Sequence, residues 1–238
     1  MTMTQRLSKL SILMPVYNEQ ATLREALKRL LDVHFPCELE VVCVDDGSSD
    51  GTADILQAFS DHRLRVIRHP INRGKGAAIR TAINEASGDY AVMYDADLEY
   101  APEDLPRLVE PILQGEATVV FGTRSFGSHT AYSFWYVMGN KVVTHAANIL
   151  FNSWISDLET CYKMLPVKLL RELDIKQSGF GMEPEITAKL LTRGIRPYEV
   201  PISYRARSRA EGKKLTWRDG VEALWVLLRL RVAARMAR

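Results

Sequence analysis

The chain has 238 residues, enough for one large domain or two small ones. At 47% hydrophobic and 25% charged, it is excluded from the disordered, collagen-like, low-complexity and disulfide-scaffold classes. The formal net charge of +2 is unevenly placed: residues 193–238 hold 12 Lys+Arg against 4 Asp+Glu, and residues 1–192 hold 19 against 25, so the basic end is a candidate surface for phosphates, anionic lipid or nucleic acid.

Residues 10–16 read as a buried strand. Residues 19–33 follow with helical spacing at Leu23, Leu27, Leu30 and Leu31. A second buried strand is predicted at 39–44, a helix at 52–59 and a short strand at 64–68. A helix at 74–86, a strand at 90–94, a helix at 102–113 and a strand at 117–121 complete the first half. Strands that are continuously apolar and alternate with helices predict an α/β fold, a mostly parallel sheet with helices on both faces. The second half is less regular. Residues 136–151 read as a helix, 160–165 as a strand and 183–192 as a helix. Edge-like strands at 195–200 and 202–204 flank Pro201, and a polar loop covers 205–214. Thr216 with Asp219 forms a capping box, from which a helix runs toward the C-terminus. With no internal repeat and no linker, one domain with an elaborated C-terminal half is expected.

Polar punctuation falls at the carboxyl ends of the predicted strands. The first is followed by Pro15-Val16-Tyr17-Asn18-Glu19 and the second by Asp45-Asp46-Gly47-Ser48. The next two such ends carry Asp95-Ala96-Asp97 and Gly122-Thr123-Arg124. Taken singly, each is also a good turn or helix cap. Together they mark one sheet edge, where parallel sheets bind ligands. Side chains at i and i+2 of an extended segment share a face. Asp95 and Asp97 can therefore converge on a hard cation, with Glu99 as a third oxygen donor. Mg²⁺ or Mn²⁺, held by carboxylates plus substrate phosphates, suits that donor set. An acid such as Asp46 can accept from a nucleobase N–H or ribose hydroxyls. Arg124 and the 205–214 loop, with Arg207, Arg209, Lys213 and Lys214 near Gly212, supply charge that could close over a diphosphate.

Other chemistries are excluded. The cysteines, Cys37, Cys43 and Cys161, are odd in number and lack C-x-x-C spacing, which argues against zinc and disulfides and for reduced thiols in a cytoplasmic protein. Residues 1–10 lack the apolar stretch of a signal peptide. The longest apolar run, 223–228, is far short of the roughly 20 residues of a membrane span. The five histidines show no ligand or triad spacing and read as structural. No G-x-G-x-x-G follows the first strand and no phosphate-binding P-loop occurs. Ser48 and Ser49 lack the context of an acyl-transfer nucleophile.

These stretches, with Asn72-Arg73-Gly74-Lys75-Gly76, Glu199-Val200-Pro201-Ile202 and Glu211-Gly212-Lys213-Lys214, are in order over about 10–214. So composed, the chain resembles family 2 glycosyltransferases of the GT-A fold, and among them the dolichol- or polyprenol-phosphate sugar synthases. The resemblance implies a GT-A domain at 1–214 and a basic C-terminal helix at 215–238. It implies that Pro15, Tyr17, Glu19, Val44 and Asp46 line a nucleoside pocket. Lys75, Asp95 and Ala96 would contact the donor, and Asp95, Asp97 and Glu99 the metal. Arg124, Arg207 and Lys213 would bind donor and acceptor phosphates. Two departures stand out: Glu99, where the family often has Gln or Ser, and Thr160-Cys161-Tyr162, where it often has a glycine.

The implied reaction is an inverting transfer of a hexose from a GDP-mannose or UDP-glucose type donor to a polyprenyl or dolichyl phosphate. A saccharide or glycolipid hydroxyl is the alternative acceptor. It would need a carboxylate base, for which Glu183 and Glu185 are candidates beside the helix-capping role of acids there. A nucleotidyltransferase would want a glycine-rich loop where Met14-Pro15-Val16-Tyr17 stands. A nucleic-acid module is disfavoured, because the basic loop lacks interleaved aromatics and the acidic edge repels a polyanion. Residues 216–238 suggest peripheral contact with the cytoplasmic membrane face: the arginines 229, 231, 235 and 238 suit anionic headgroups. The apolar positions of 221–228 go nearly all round the helix, so the front half is expected to pack on the domain or a partner.

Overall fold

The computed structural model describes residues 7–129, 133–207 and 216–236. Strand β1 (Lys9–Val16) is followed by α1 (Leu23–Asp32), β2 (Glu38–Asp45), α2 (Thr52–Ala58), β3 (Leu64–Arg68), α3 (Lys75–Glu85) and β4 (Tyr90–Met93). A 3₁₀ turn at Pro102–Asp104 leads into α4 (Leu105–Leu113) and β5 (Val120–Thr123). Then come α5 (Phe134–Phe151), β6 (Lys163–Pro166), α6 (Val167–Leu173), α7 (Met182–Thr192), β7 (Tyr198–Pro201) and α8 (Trp217–Met236).

The strands form one seven-stranded sheet in the order β3-β2-β1-β4-β6-β5-β7. All neighbours are parallel except β6, which runs antiparallel between β4 and β5. Its strands are apolar on both faces because both faces are covered: Leu10, Ile12, Leu13, Val41, Val42, Val92 and Val120 are all fully buried. A second apolar cluster joins Val143, Ala147 and Phe151 of α5 to Ala188 and Leu191 of α7 and to Ala223 and Leu227 of α8. The C-terminal helix thus packs on the body of the fold. The boundary expected at 214/215 falls among residues outside those described.

The mostly parallel α/β sheet is as expected, and several element ends differ from the sequence reading. The first helix begins at Leu23 rather than residue 19. The preceding turn is tied to the segment after β2: the Asn18 N–H donates to Ser48 Oγ and the Glu19 N–H to Thr52 Oγ1, each at 3.0 Å. The fifth strand begins at Val120 rather than 117, because the N–H groups of Glu116 and Ala117 donate back to Pro111 O at the end of α4. Strand β6 begins at Lys163 rather than 160. Residues 158–160 instead turn around the Lys163 ammonium, which donates to Leu158 O and Thr160 O at 2.7 Å. The capping box is present: Thr216 N–H and Oγ1 donate to Asp219 Oδ2 at 2.6 and 2.8 Å.

Candidate active site

A cavity of about 1370 Å³ lies over the carboxyl ends of β1, β2, β4 and β5 and is closed on one side by α5 and the start of α8. The strand order puts the first two acidic loops to one side, Asp95-Ala96-Asp97 at the centre and Arg124 to the other. Pro15, Tyr17, Glu19, Asp46, Lys75, Asp95, Ala96, Asp97, Glu99, Arg124, Glu183 and Arg207 all line it. Val44 does not: it is fully buried within β2, beneath the cavity floor. Lys213 lies outside the described residues.

Asp46 does two jobs. It faces the cavity, and it accepts from the backbone N–H of Arg73 at 3.1 Å and of Gly74 at 2.7 Å. Its Oδ1 also meets His69 Nδ1 at 2.6 Å, and His69 Nε2 meets Thr81 Oγ1 at 2.9 Å. This buried relay fixes the 72–74 turn that launches α3. Gly74 has φ +92° and faces the Ser178 carbonyl, where any Cβ would collide. That close approach seats α3 on residues 177–178, to which Arg80 also donates.

The same packing sets Lys75 between two carboxylates. Its ammonium is 2.8 Å from Asp95 and 2.9 Å from Glu183. Burial works against the charged form, but the two carboxylates outweigh it and hold the Lys75 pKa well above its ordinary value. Asp97 accepts from Arg207 Nη2 at 2.9 Å and from the Glu99 N–H at 3.0 Å. Leu98 between them takes a left-handed φ of 60°. Burial, then the charges of Asp95 and Glu99, push the Asp97 carboxyl up to about 7. Glu99 is directed to Tyr204, whose hydroxyl donates at 2.5 Å, and to Arg207 Nε at 3.4 Å. Arg207 also reaches Glu19 at 3.7 Å, so one guanidinium spans three carboxylates. Among the described residues, no group of three or more His, Cys, Asp or Glu side chains is gathered as a metal-ligand set. Asp95 and Asp97 each face a cationic side chain instead.

Arg124 forks onto Asp157, with Nε and Nη2 each 2.7 Å from a carboxylate oxygen, and lies 4.9 Å over the Tyr204 ring. Asn140 of α5 donates to the same carboxylate at 2.9 Å. Burial opposes the Asp157 anion, but Arg124 overcomes it and holds the carboxyl down at about 2. Glu185 is spent on structure, accepting from the N–H groups of Lys176 and Gln177 and from Lys189. One Glu183 oxygen has no hydrogen-bond partner among the described residues.

Sequence reasoning missed Asp157, Glu159, Asn140 and Tyr204 at this cavity. The available signal was the acid pair Asp157 and Glu159, on either side of Leu158 and set between Ile155 and Cys161-Tyr162.

The description "Glycosyl transferase family 2" covers the family model that matches residues 11–174. A dolichol-phosphate mannosyltransferase of Pyrococcus furiosus is 30% identical over 210 residues, 86% of this chain and 59% of that protein. An undecaprenyl-phosphate 4-deoxy-4-formamido-L-arabinose transferase of Photorhabdus laumondii is 39% identical over 125 residues, 50% of this chain and 38% of that protein. The chain thus spans less than two thirds of either relative. Among solved structures, glucosyl-3-phosphoglycerate synthase from Mycobacterium tuberculosis, in complex with Mn²⁺, UDP and phosphoglyceric acid, superposes with a TM-score of 0.72. It is 20% identical, over 94% of this chain and 78% of that one, a likeness of fold. The family match covers well over half the chain and contains the loops that end β1, β2, β4 and β5: the chain belongs to glycosyl transferase family 2.

Proposed function

We propose that this chain transfers a hexose, with inversion, from a nucleotide sugar to a polyprenyl or dolichyl phosphate. The observation that carries the reading is a single cavity lined by the Asp95-Ala96-Asp97 carboxylates at its centre and by the cationic Arg124 and Arg207. The names of the relatives support a lipid-phosphate acceptor. In the reaction, the anomeric carbon's bond to the leaving diphosphate breaks as a bond forms to an acceptor oxygen on the opposite face. The leaving diphosphate takes the electron pair. A phosphate acceptor is already ionised, so no base is required. For a hydroxyl acceptor, Glu183 is the base within the cavity.

Pro15, Tyr17, Glu19 and Asp46 serve the nucleoside, while Lys75, Asp95 and Ala96 serve the donor. Arg124 and Arg207, held by Asp157 and Asp97, serve the phosphates as preorganised donors for charge that grows as the bond breaks, with Lys213 assigned the same role from the sequence. The donor set also suits a divalent ion: hard oxygens, with burial and then the neighbouring Asp95 and Glu99 carboxylates pushing the Asp97 carboxyl up to about 7. Asp95 and Asp97 would hold Mg²⁺ or Mn²⁺, which supplies Lewis-acid stabilisation of the diphosphate. Glu99, which here accepts from Tyr204 and lies beside Arg207, would be the third oxygen donor.

Peripheral contact with the cytoplasmic membrane face belongs to the same reading. Among the described residues, no helix is long and apolar enough to cross a membrane. Helix α8 instead exposes Val221, Trp225, Leu228, Val232 and Met236 along one side, near Arg229 and Arg235. Such a face suits an interfacial helix.

The test is a panel of radiolabelled GDP- and UDP-sugars offered with undecaprenyl phosphate or soluble saccharides, with and without EDTA. Labelled lipid from one donor, lost in EDTA, is expected. Label only in saccharide would move the acceptor to a hydroxyl. No transfer to either would overturn the proposal.

A further inference from the structure

A lysine is costly to enclose in a strand that is covered on both faces, because its ammonium loses its hydration. Among the described residues, Lys163 is the only lysine that is fully buried, and it opens β6, whose four residues are all buried. A methionine would fill nearly the same space without that cost, so the packing of the sheet gives no reason for a cation here. The reason lies at the end of the strand. Because β6 is antiparallel to β4 and β5, its first residue stands at the sheet edge over which the cavity lies.

The Lys163 ammonium gathers three partners at that edge. It donates to Leu158 O and Thr160 O, each at 2.7 Å, and lies 4.6 Å over the ring of Phe121, its cross-strand partner on β5. Two buried carbonyls that converge on one spot repel each other unless a group with several donors sits between them. Lys163 thus gives the 158–160 turn its shape. Burial lowers the ammonium to about 8, with the Glu183, Asp157 and Glu159 carboxylates acting the other way, so it stays charged at neutral pH.

That turn carries Asp157 at its start. From the other side, α5 fixes the same segment: Thr144 Oγ1 accepts from the Leu158 N–H at 3.1 Å, and Asn140 donates to Asp157 at 2.9 Å. Asp157 takes the Arg124 guanidinium as a fork, which sets the plane of the group as well as its place. Phe121, under the Lys163 ammonium, belongs to β5, the strand that leads into Arg124. One ammonium therefore touches both the turn that orients Arg124 and the strand that delivers it.

We propose that Lys163 is a positioning residue for the transfer: by closing the 158–160 turn it holds Asp157, and through Asp157 the Arg124 guanidinium, where phosphate oxygens are received. This rests on the glycosyl transfer proposed above. Lys163 acts from beneath, since Arg124 and Asp157 line the cavity and Lys163 does not.

The test reads Arg124 directly. Its Nε–H, held 2.7 Å from Asp157, gives a proton–nitrogen NMR signal that is displaced downfield and slow to exchange with water. The signal is assigned by its loss in Arg124→Lys. Lys163→Met removes the donors at nearly unchanged side-chain length, and melting temperatures show that the variant is folded. In it the Arg124 signal is expected to move to the position of a solvated guanidinium and to exchange faster. Lys163→Gln, a neutral donor one atom shorter, should move it part of the way, and decides the test if the methionine variant does not fold. Transfer of labelled hexose to undecaprenyl phosphate by Lys163→Met should lose about 10- to 100-fold in kcat, the cost of misplacing a group by about an ångström, with KM for the donor within about threefold of wild type. An unmoved Arg124 signal in a folded variant would overturn the inference. So would an unchanged kcat, because a lysine that only stabilises the sheet predicts both. Wild type that transfers no hexose is a different result: it overturns the glycosyl-transfer reading and this role with it, while the signal still reports whether Lys163 holds Arg124.

Discussion

Asp157→Asn is the sharpest probe of how the cavity is held. Asp157 is 1% exposed and takes both arms of Arg124 at 2.7 Å. The arginine holds its carboxyl down from 3.8 to about 2. At about 1.4 kcal/mol per unit, that depression corresponds to roughly 2–3 kcal/mol of folding free energy at neutral pH. The variant also leaves the Arg124 guanidinium buried without its anion, and breaking one side of a buried pair costs about 3–5 kcal/mol. Asparagine keeps the shape and one acceptor, so about 3 kcal/mol is expected, a fall in melting temperature of roughly 6–12 °C for a chain of this size. The pH dependence has a definite sign. A carboxyl depressed by folding contributes stability that is present above its ordinary pKa and is lost as pH falls from about 4 through about 2. Urea unfolding of both proteins between about pH 7 and about pH 2.5 measures this. The difference between them should narrow across that acid window. A variant within about 0.5 kcal/mol of wild type at neutral pH would refute the argument. So would a difference that does not change with acid.

Three further outcomes are expected. Asp97→Asn keeps the fold and abolishes EDTA-sensitive transfer, because a carboxylate donor is lost; near-normal transfer by EDTA-treated wild type would remove the metal assignment. Gly74→Ala, at φ +92° against the Ser178 carbonyl, loses well over about 1–2 kcal/mol in a thermal melt, the left-handed penalty alone; a melt within about 1 °C of wild type would show that the α3 turn is not constrained as described. The full chain sediments with anionic liposomes at low salt and is released at high salt, and Trp225→Glu prevents it; a full chain that stays in the supernatant at low salt would overturn the membrane reading.

Much of the fold is legible in the sequence because apolar period and layer agree. Strands β1, β2 and β4 are continuously apolar and covered on both faces, so each announces itself and its carboxyl-end loop. The element ends that shifted are the ones set by distant partners. Residues 19–22 have helical composition, yet Ser48 and Thr52 hold Asn18 and Glu19 in a turn. Strand β6 has four residues and no period of its own, and its antiparallel sense follows from how the chain returns after α5. At the site, residues in the motif loops were found and those that support them were not. Arg124 ends a strand, but Asp157 stands 33 residues further on. His69, read as structural, is buried between Asp46 and Thr81, and no spacing rule could have named those partners.

Helix α8 shows most clearly why local pattern can hide function. Its apolar residues surround the helix, which suggests burial all round. The structure resolves that pattern into two faces with different partners. Ala223, Val226 and Leu227 are buried, with Ala223 and Leu227 in the cluster shared with α5 and α7. Val221, Trp225, Leu228 and Val232 follow at helical spacing on the other side, with exposures of 48–65%. Packing on the domain accounts for the first face only. The second carries a surface cost that a monomer in water gains nothing by keeping, beside arginines at 229 and 235. Its first two turns, at Trp217 and Val221, also line the cavity. One helix therefore joins the cavity, the domain core and an unpartnered apolar face. An acceptor with a charged head and a long apolar tail would need these surfaces to be continuous.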